Sequence, residues 1–181
     1  MSHATVAAPT IVRPNADEFY DYYGRYIAKV PDENLIALLR EQAVETVTML
    51  QDLTAEQASY AYAPGKWTVK EVVGHISDAE RIFAYRALRI ARRDTTPMES
   101  FDENTYVTNA NFGKRTLPDL LEELQVVRAS TIHLAKNLDA NALALRGTAS
   151  GHSISVRALF YIIAGHERHH AELLRERYLS R

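Results

Sequence analysis

The 181-residue chain has no cysteine, which removes disulfides, thiolate metal ligands and any thiol nucleophile of its own. Seven glycines and six prolines are too few for an all-β design, which needs frequent tight turns. No apolar run approaches the ~20 residues that a membrane-spanning helix requires. The opening MSHATVAAP lacks the basic start and apolar stretch of a secretory signal. A cytoplasmic protein without a membrane partner is the expectation. Charge of one sign is missing too: 21 Lys and Arg stand against 23 Asp and Glu, a formal net charge of −2. A general nucleic-acid binder needs a basic face, so nucleic acid is not an expected partner. What is plentiful is apolar residues, 46% against 24% charged, an ordinary mixture for filling a core. Any metal must be held by His, Asp or Glu.

The few breakers divide the chain into long helical blocks. Residues 32–53 place Leu35, Leu38, Leu39, Val44, Val47 and Leu50 at spacings near three and four, the mark of an amphipathic helix. Thr54 and Gln57 form a capping-box pattern for a short helical turn before Pro64-Gly65. A sharper box, Thr68 with Glu71, opens the block 68–91, and Trp67 with Val72 suits a hydrophobic staple. Val72, His75, Ile76, Ala79, Ile82, Phe83 and Leu88 form its inner side. Thr116, Pro118 and Asp119 open a third helix over 116–138. The last begins near Ser153 or Ser155 and runs to about Tyr178, with Leu159, Ile163, His166, His170 and Leu174 along one stripe. Four rods of about 30–37 Å, at 1.5 Å rise per residue, predict an all-α four-helix bundle with negligible strand.

Two segments fall outside the bundle. Residues 1–30 form an N-terminal arm rich in aromatics (Phe19, Tyr20, Tyr22, Tyr23, Tyr26), read as an extra helix or cover rather than a cofactor box, and 31–181 form the bundle domain. The connection 94–115 is longer than the ~12–15 residues of a passive loop. It carries Phe101, Tyr106 and Asn109, and it suits a segment that crosses the bundle end and walls a pocket.

Chemistry concentrates in the histidines. His166 and His170 stand four residues apart, on one helix face, and His75 lies on the inner stripe of the second helix. Three neutral imidazoles converging on one divalent ion leave positions for water or substrate, as a catalytic metal requires. His169 is three from His166 and competes with His170 by spacing; His170 continues the Leu159–Ile163–His166 stripe. His3, His133 and His152 read as tail, helix flank and pre-helix loop. The run from His166 to His170 also spells H-E-x-x-H, the metalloprotease string in which Glu is the base. A metzincin needs Gly at 173 and His at 176, but Leu173 and Glu176 stand there, and there is no strand-rich lobe to hold a peptide. Glu167 remains a candidate base or hydrogen-bond acceptor, and Asp78, one turn from His75, a candidate hydrogen-bond acceptor to the ligand ring.

The run Gly65 to Glu80 (GKWTVKEVVGHISDAE), Ser155 to Leu159 and Gly165 to His170 (GHERHH) resemble the DinB/YfiT-like family of metal-dependent enzymes, from about residue 32 onward. The resemblance implies an up-down-down-up bundle, commonly a homodimer, with zinc or nickel on His75, His166 and His170. It further implies a small-molecule substrate. In characterised relatives the ion serves a low-molecular-weight thiol, so transfer of such a thiol to an electrophile is the expected activity. Hydrolysis by metal-activated water and a non-catalytic bundle with a structural metal are the alternatives.

Overall fold

The computed structural model describes residues 10–180, so His3 lies outside the described residues. The arm comes first: two short 3₁₀ turns, Ala16–Glu18 and Asp21–Tyr23, lead into a one-turn helix, α1 (Gly24–Ile27). Four long helices follow, with shorter elements between them. They are α2 (Leu35–Leu50), α4 (Val69–Ala91), α6 (Leu117–Ala135) and α8 (Val156–Leu174). The short ones are α3 (Ala55–Ala58), α5 (Glu103–Ala110) and α7 (Ala140–Ala144). Both expected capping boxes form: Thr54 accepts from the Gln57 amide and Thr68 from the Glu71 amide, with each N3 side chain returning to the cap backbone. Thr116, with proline in the first turn, caps α6, and Ser155 caps α8.

The side-chain pairings give the helix directions. Gln42 and Thr46 of α2 bond to Ala164 and Glu167 of α8, so these two run parallel. Val72 and Val73 of α4 share a cluster with Leu120 and Leu124 of α6, and Phe83 and Ile90 share the other with Ile132 and Ala135, a second parallel pair. His75 of α4 meets His166 and His170 of α8, while Phe83 and Ile90 share a cluster with Val156 and Leu159, so that pair is antiparallel. The order is up, down, down, up.

The core has two apolar clusters, one around Leu39, Phe83, Ile132 and Leu159, the other around Leu50, Val72, Leu124 and Leu174. Between them every long helix contributes buried polar side chains: Gln42 and Thr46, His75 and Glu80, Arg128, then His166, Glu167 and His170. The metal candidates belong to this polar layer.

Some expectations need correction. Val44 and Leu88 were assigned to inner stripes, but they are 60% and 38% exposed. The buried arc of each helix is narrower than its apolar pattern, so apolar residues at the margin of the pattern face solvent. The bundle also carries a hairpin, β1 (Arg146–Ala149) with β2 (His152–Ser155), where negligible strand was expected. Its turn residues Ser150 and Gly151 have φ of 52° and 79°, the left-handed backbone that a two-residue hairpin turn demands. His152 therefore opens a strand rather than a loop and stacks on Tyr20 at 3.8 Å. The hairpin anchors the 94–115 connection: Met98 donates to Thr148 O and accepts from the Ser150 amide, at 3.0 and 2.8 Å. That connection is partly helical, containing α5 and a 3₁₀ turn at Phe112–Lys114. No helix among the described residues is long and apolar enough to cross a membrane.

Candidate metal centre

His75 reaches the site from α4, and His166 and His170 from one face of α8. Their Nε2 atoms converge: His75 to His166 is 3.0 Å and His170 to His166 is 3.2 Å. All three rings offer a ligand atom within 4.8 Å of the others, and all three residues are buried. Burial lowers the His75 pKa to about 4. It lowers His166 and His170 well below the usual imidazole value, with neighbouring histidines adding to the effect. The rings are thus neutral at neutral pH, each with one proton and one lone pair.

The cluster fits a divalent ion. Donors 2.0–2.1 Å from zinc sit about 3.3 Å apart at the tetrahedral angle and about 2.9 Å apart at a right angle; the observed separations lie between. Hydrogen bonding serves the cluster poorly, since His166 Nε2 faces two ring nitrogens at once and His170 Nδ1 is buried without a partner. With the proton of each ring on Nδ1, three lone pairs aim at one point. His169, the competitor by spacing, turns aside towards Tyr26 and is only partly buried. Three protein donors, not the four of a closed structural site, gather here among the described residues.

The trio lies in a cavity of about 280 Å³, room for a ligand of modest size. Trp67, tilted over His75 with ring centroids 4.7 Å apart, and Phe83 form part of its wall. The rest comes from the arm, the long connection and the hairpin turn: Tyr22, Tyr23, Arg25 and Tyr26 from the first, Phe101 and Glu103 from the second and Ser150 from the third. The aromatic arm, expected only as a cover, builds the site. Its signal was the density of tyrosines in 19–26, but short 3₁₀ turns lack the periodicity that tells which neighbour they face. The long connection does wall the pocket, though through Phe101 and Glu103; Tyr106 is 46% exposed and packs on Phe101, and Asn109 is exposed. Neither lines the cavity. A larger groove of about 740 Å³ between Met49, Leu53, Tyr60 and Tyr178 has Glu56 as its only charged lining residue and does not include the histidines.

The two candidate carboxylates go elsewhere. Asp78 pairs with Arg81 at 3.2 Å and is not part of the cavity wall. Glu167 is buried, accepts from Thr46 Oγ1 at 2.7 Å and pairs with Arg128 at 2.7 Å. Arg128 also grips Glu80 with Nε and Nη2 and donates Nη1 to Leu39 O. Burial pulls the Arg128 pKa down, and Glu167 with Glu80 more than reverses it. This ion triad fastens α4, α6 and α8 together; the sequence alone offered Glu167 as a candidate base or acceptor and did not single out Arg128 or Glu80.

The DinB superfamily model matches residues 38–174. The chain belongs to the DinB superfamily. Its fold matches that of YfiT from Bacillus subtilis, described as "a probable metal-dependent hydrolase with an unusual four-helix bundle topology". The TM-score is 0.71 at 18% identity, over 91% of this chain and 92% of YfiT. Among curated proteins none matches the chain. Within the DinB bundle this chain presents a buried three-histidine cluster consistent with a divalent metal.

Proposed function

We propose that this DinB protein is a metal-dependent enzyme that transfers a low-molecular-weight thiol to an electrophilic small molecule. One observation carries the reading: three neutral imidazoles converge in a cavity while both nearby carboxylate candidates are locked to arginines. His75, His166 and His170 would hold a divalent ion, which would supply the Lewis acidity that makes a thiol or a water a nucleophile at neutral pH. The chain has no cysteine, so the sulfur comes from a bound thiol. The thiol proton leaves to solvent by way of the imidazole of His169, which lines the cavity outside the trio and is partly exposed; burial and the nearby Lys29 and Arg25 charges lower its pKa, so it passes the proton on rather than holding it. The sulfur electron pair then forms the bond to the electrophilic carbon, and the leaving group departs with its own pair. Tyr26 keeps its proton, burial raising its pKa to about 12, so it serves as a fixed hydrogen-bonding wall. Trp67 and Phe83 exclude water around the reacting atoms.

The fold likeness to YfiT favours a second reading, in which water replaces the thiol. Hydrolysis at such a centre ordinarily draws on a carboxylate base; Asp78 and Glu167 are engaged away from the cavity, so a hydrolase would have to use Glu103, the exposed carboxylate of the cavity wall. The test is metal-loaded protein assayed with electrophiles plus bacillithiol, mycothiol, glutathione or coenzyme A, beside esters and amides without thiol. Turnover that needs both thiol and metal is the expected result. Ester or amide turnover without thiol replaces transfer with hydrolysis, and silence from fully loaded protein in both panels favours a structural metal.

A further inference from the structure

Arg25 stands out among the arginines that touch the arm. Arg13 pairs with Asp32, Arg146 with Asp17 and Arg157 with Glu18, each a cation neutralised by a carboxylate. Arg25 has no carboxylate partner among the described residues. Its Nη2 donates to the Tyr26 hydroxyl at 2.9 Å, and its guanidinium lies over the Tyr22 ring at 3.9 Å and the Tyr26 ring at 4.8 Å. A guanidinium has five N–H donors, so one bond and two ring faces position it without using it up. It lines the same cavity as the three histidines and is solvent-exposed, at the mouth rather than the floor. The cavity's one carboxylate, Glu103, bears on Tyr23, where buried Arg86 also acts. Arg25's charge instead reaches His166, His169 and His170. The cavity therefore has a positive side, and it lies along the arm.

We propose that Arg25 recognises the ligand: the small molecule taken into the cavity carries a carboxylate that pairs with Arg25 at the mouth while its reacting end faces the histidines. This rests on the reading of the cavity as the substrate site. A cavity of about 280 Å³ limits the part enclosed to on the order of ten heavy atoms, at about 30 Å³ for each water-sized one. The planar fork of arginine suits a carboxylate, with two parallel N–H···O bonds fixing orientation. Held by two aromatic rings, that fork is already ordered before binding, which lowers the entropy lost on association.

The test is calorimetric titration of the metal-loaded protein with three probes of matched size: 3-mercaptopropionate, 3-mercaptopropan-1-ol and butyrate. Wild type should bind 3-mercaptopropionate roughly tenfold or more tighter than the alcohol, the scale of a hydrogen bond to a charged group. Arg25→Gln should abolish that preference, with unchanged circular dichroism and metal content showing the variant to be folded; Arg25→Lys should keep part of it. If butyrate binds in an Arg25-dependent way and the thiol adds nothing, the carboxylate site stands and the thiol reading falls. A wild type that binds neither carboxylate, or an Arg25→Gln variant that keeps the full preference, overturns the proposal.

Discussion

A Cβ built on Gly165 would stand 2.0 Å from the carbonyl oxygen of Tyr26 and 2.4 Å from its carbonyl carbon. The arm's backbone therefore rests directly on the α8 backbone, in a space that only glycine leaves open. The next residue along α8 is His166, and the Tyr26 ring meets the His166 imidazole edge-on at 5.3 Å. One missing side chain thus lets the arm reach the metal candidates and wall their cavity.

Gly165→Ala should push the arm away, because the clash is with backbone rather than a flexible side chain. The expected cost is about 1–3 kcal/mol, the scale of overpacking a filled site. Faster proteolysis within residues 11–30 and a lower Tm should accompany it, while the metal stays bound by the bundle. Wild-type stability and an uncut arm would show that the contact is not needed.

Purified protein should hold close to one divalent ion per chain, read by elemental analysis. His75→Ala, His166→Ala or His170→Ala should release it, since two imidazoles bind far less tightly than three. His169→Ala should keep the ion and, as the proposed proton acceptor, lose turnover by about 10²-fold or more. Metal lost from His169→Ala but retained by His170→Ala would reverse the assignment within the pair.

Arg128→Met should be among the most damaging substitutions outside the site. It strands Glu80 and Glu167 in the interior, and breaking a buried ion pair by removing one partner costs about 3–5 kcal/mol. Restoring charge balance with Glu80→Gln and Glu167→Gln in the same chain should recover much of the loss in chemical denaturation. A single-variant loss below about 1 kcal/mol would mean the triad is open to water.

Glu18 provides a pH signature for arm docking. Its bonds from Arg157 lower its pKa from 4.5 to about 2, against the opposing effect of burial, with the Asn15 amide assisting. A carboxylate whose pKa is depressed on folding stabilises the folded state above its unfolded pKa and loses that stabilisation as pH falls through the folded one. Wild type should exceed Glu18→Gln by on the order of 2–3 kcal/mol at neutral pH, with the gap closing between pH 4.5 and about 2. A gap that does not change with pH would place the stabilisation in packing, not charge.

The four long helices were legible in the chain because their signals are local. Thr68 with Glu71, Thr116 before Pro118, and apolar residues at three- and four-residue spacing act within one or two turns, whatever else surrounds them. His166 and His170 were legible as a pair for the same reason, and His75 because an imidazole on a stripe of Val and Ile is conspicuous. The choice of His170 over His169 rested on that stripe, and the structure brings His170 to the other two rings. Other features depended on contacts between residues far apart in sequence, which local patterning does not encode. Glu80, Arg128 and Glu167 read singly as charges on helix faces; only the packing of α4, α6 and α8 makes them a buried triad. Tyr22, Tyr23 and Tyr26 read as an aromatic cluster and Arg25 carried no signal of its own; only the backbone contact at Gly165 sets them around the histidines. The sequence by itself thus determined the rods and the imidazoles of the candidate metal centre, through turn-scale energetics. Tertiary packing decided what faces them, because a cavity wall exists only where separate segments close on one another.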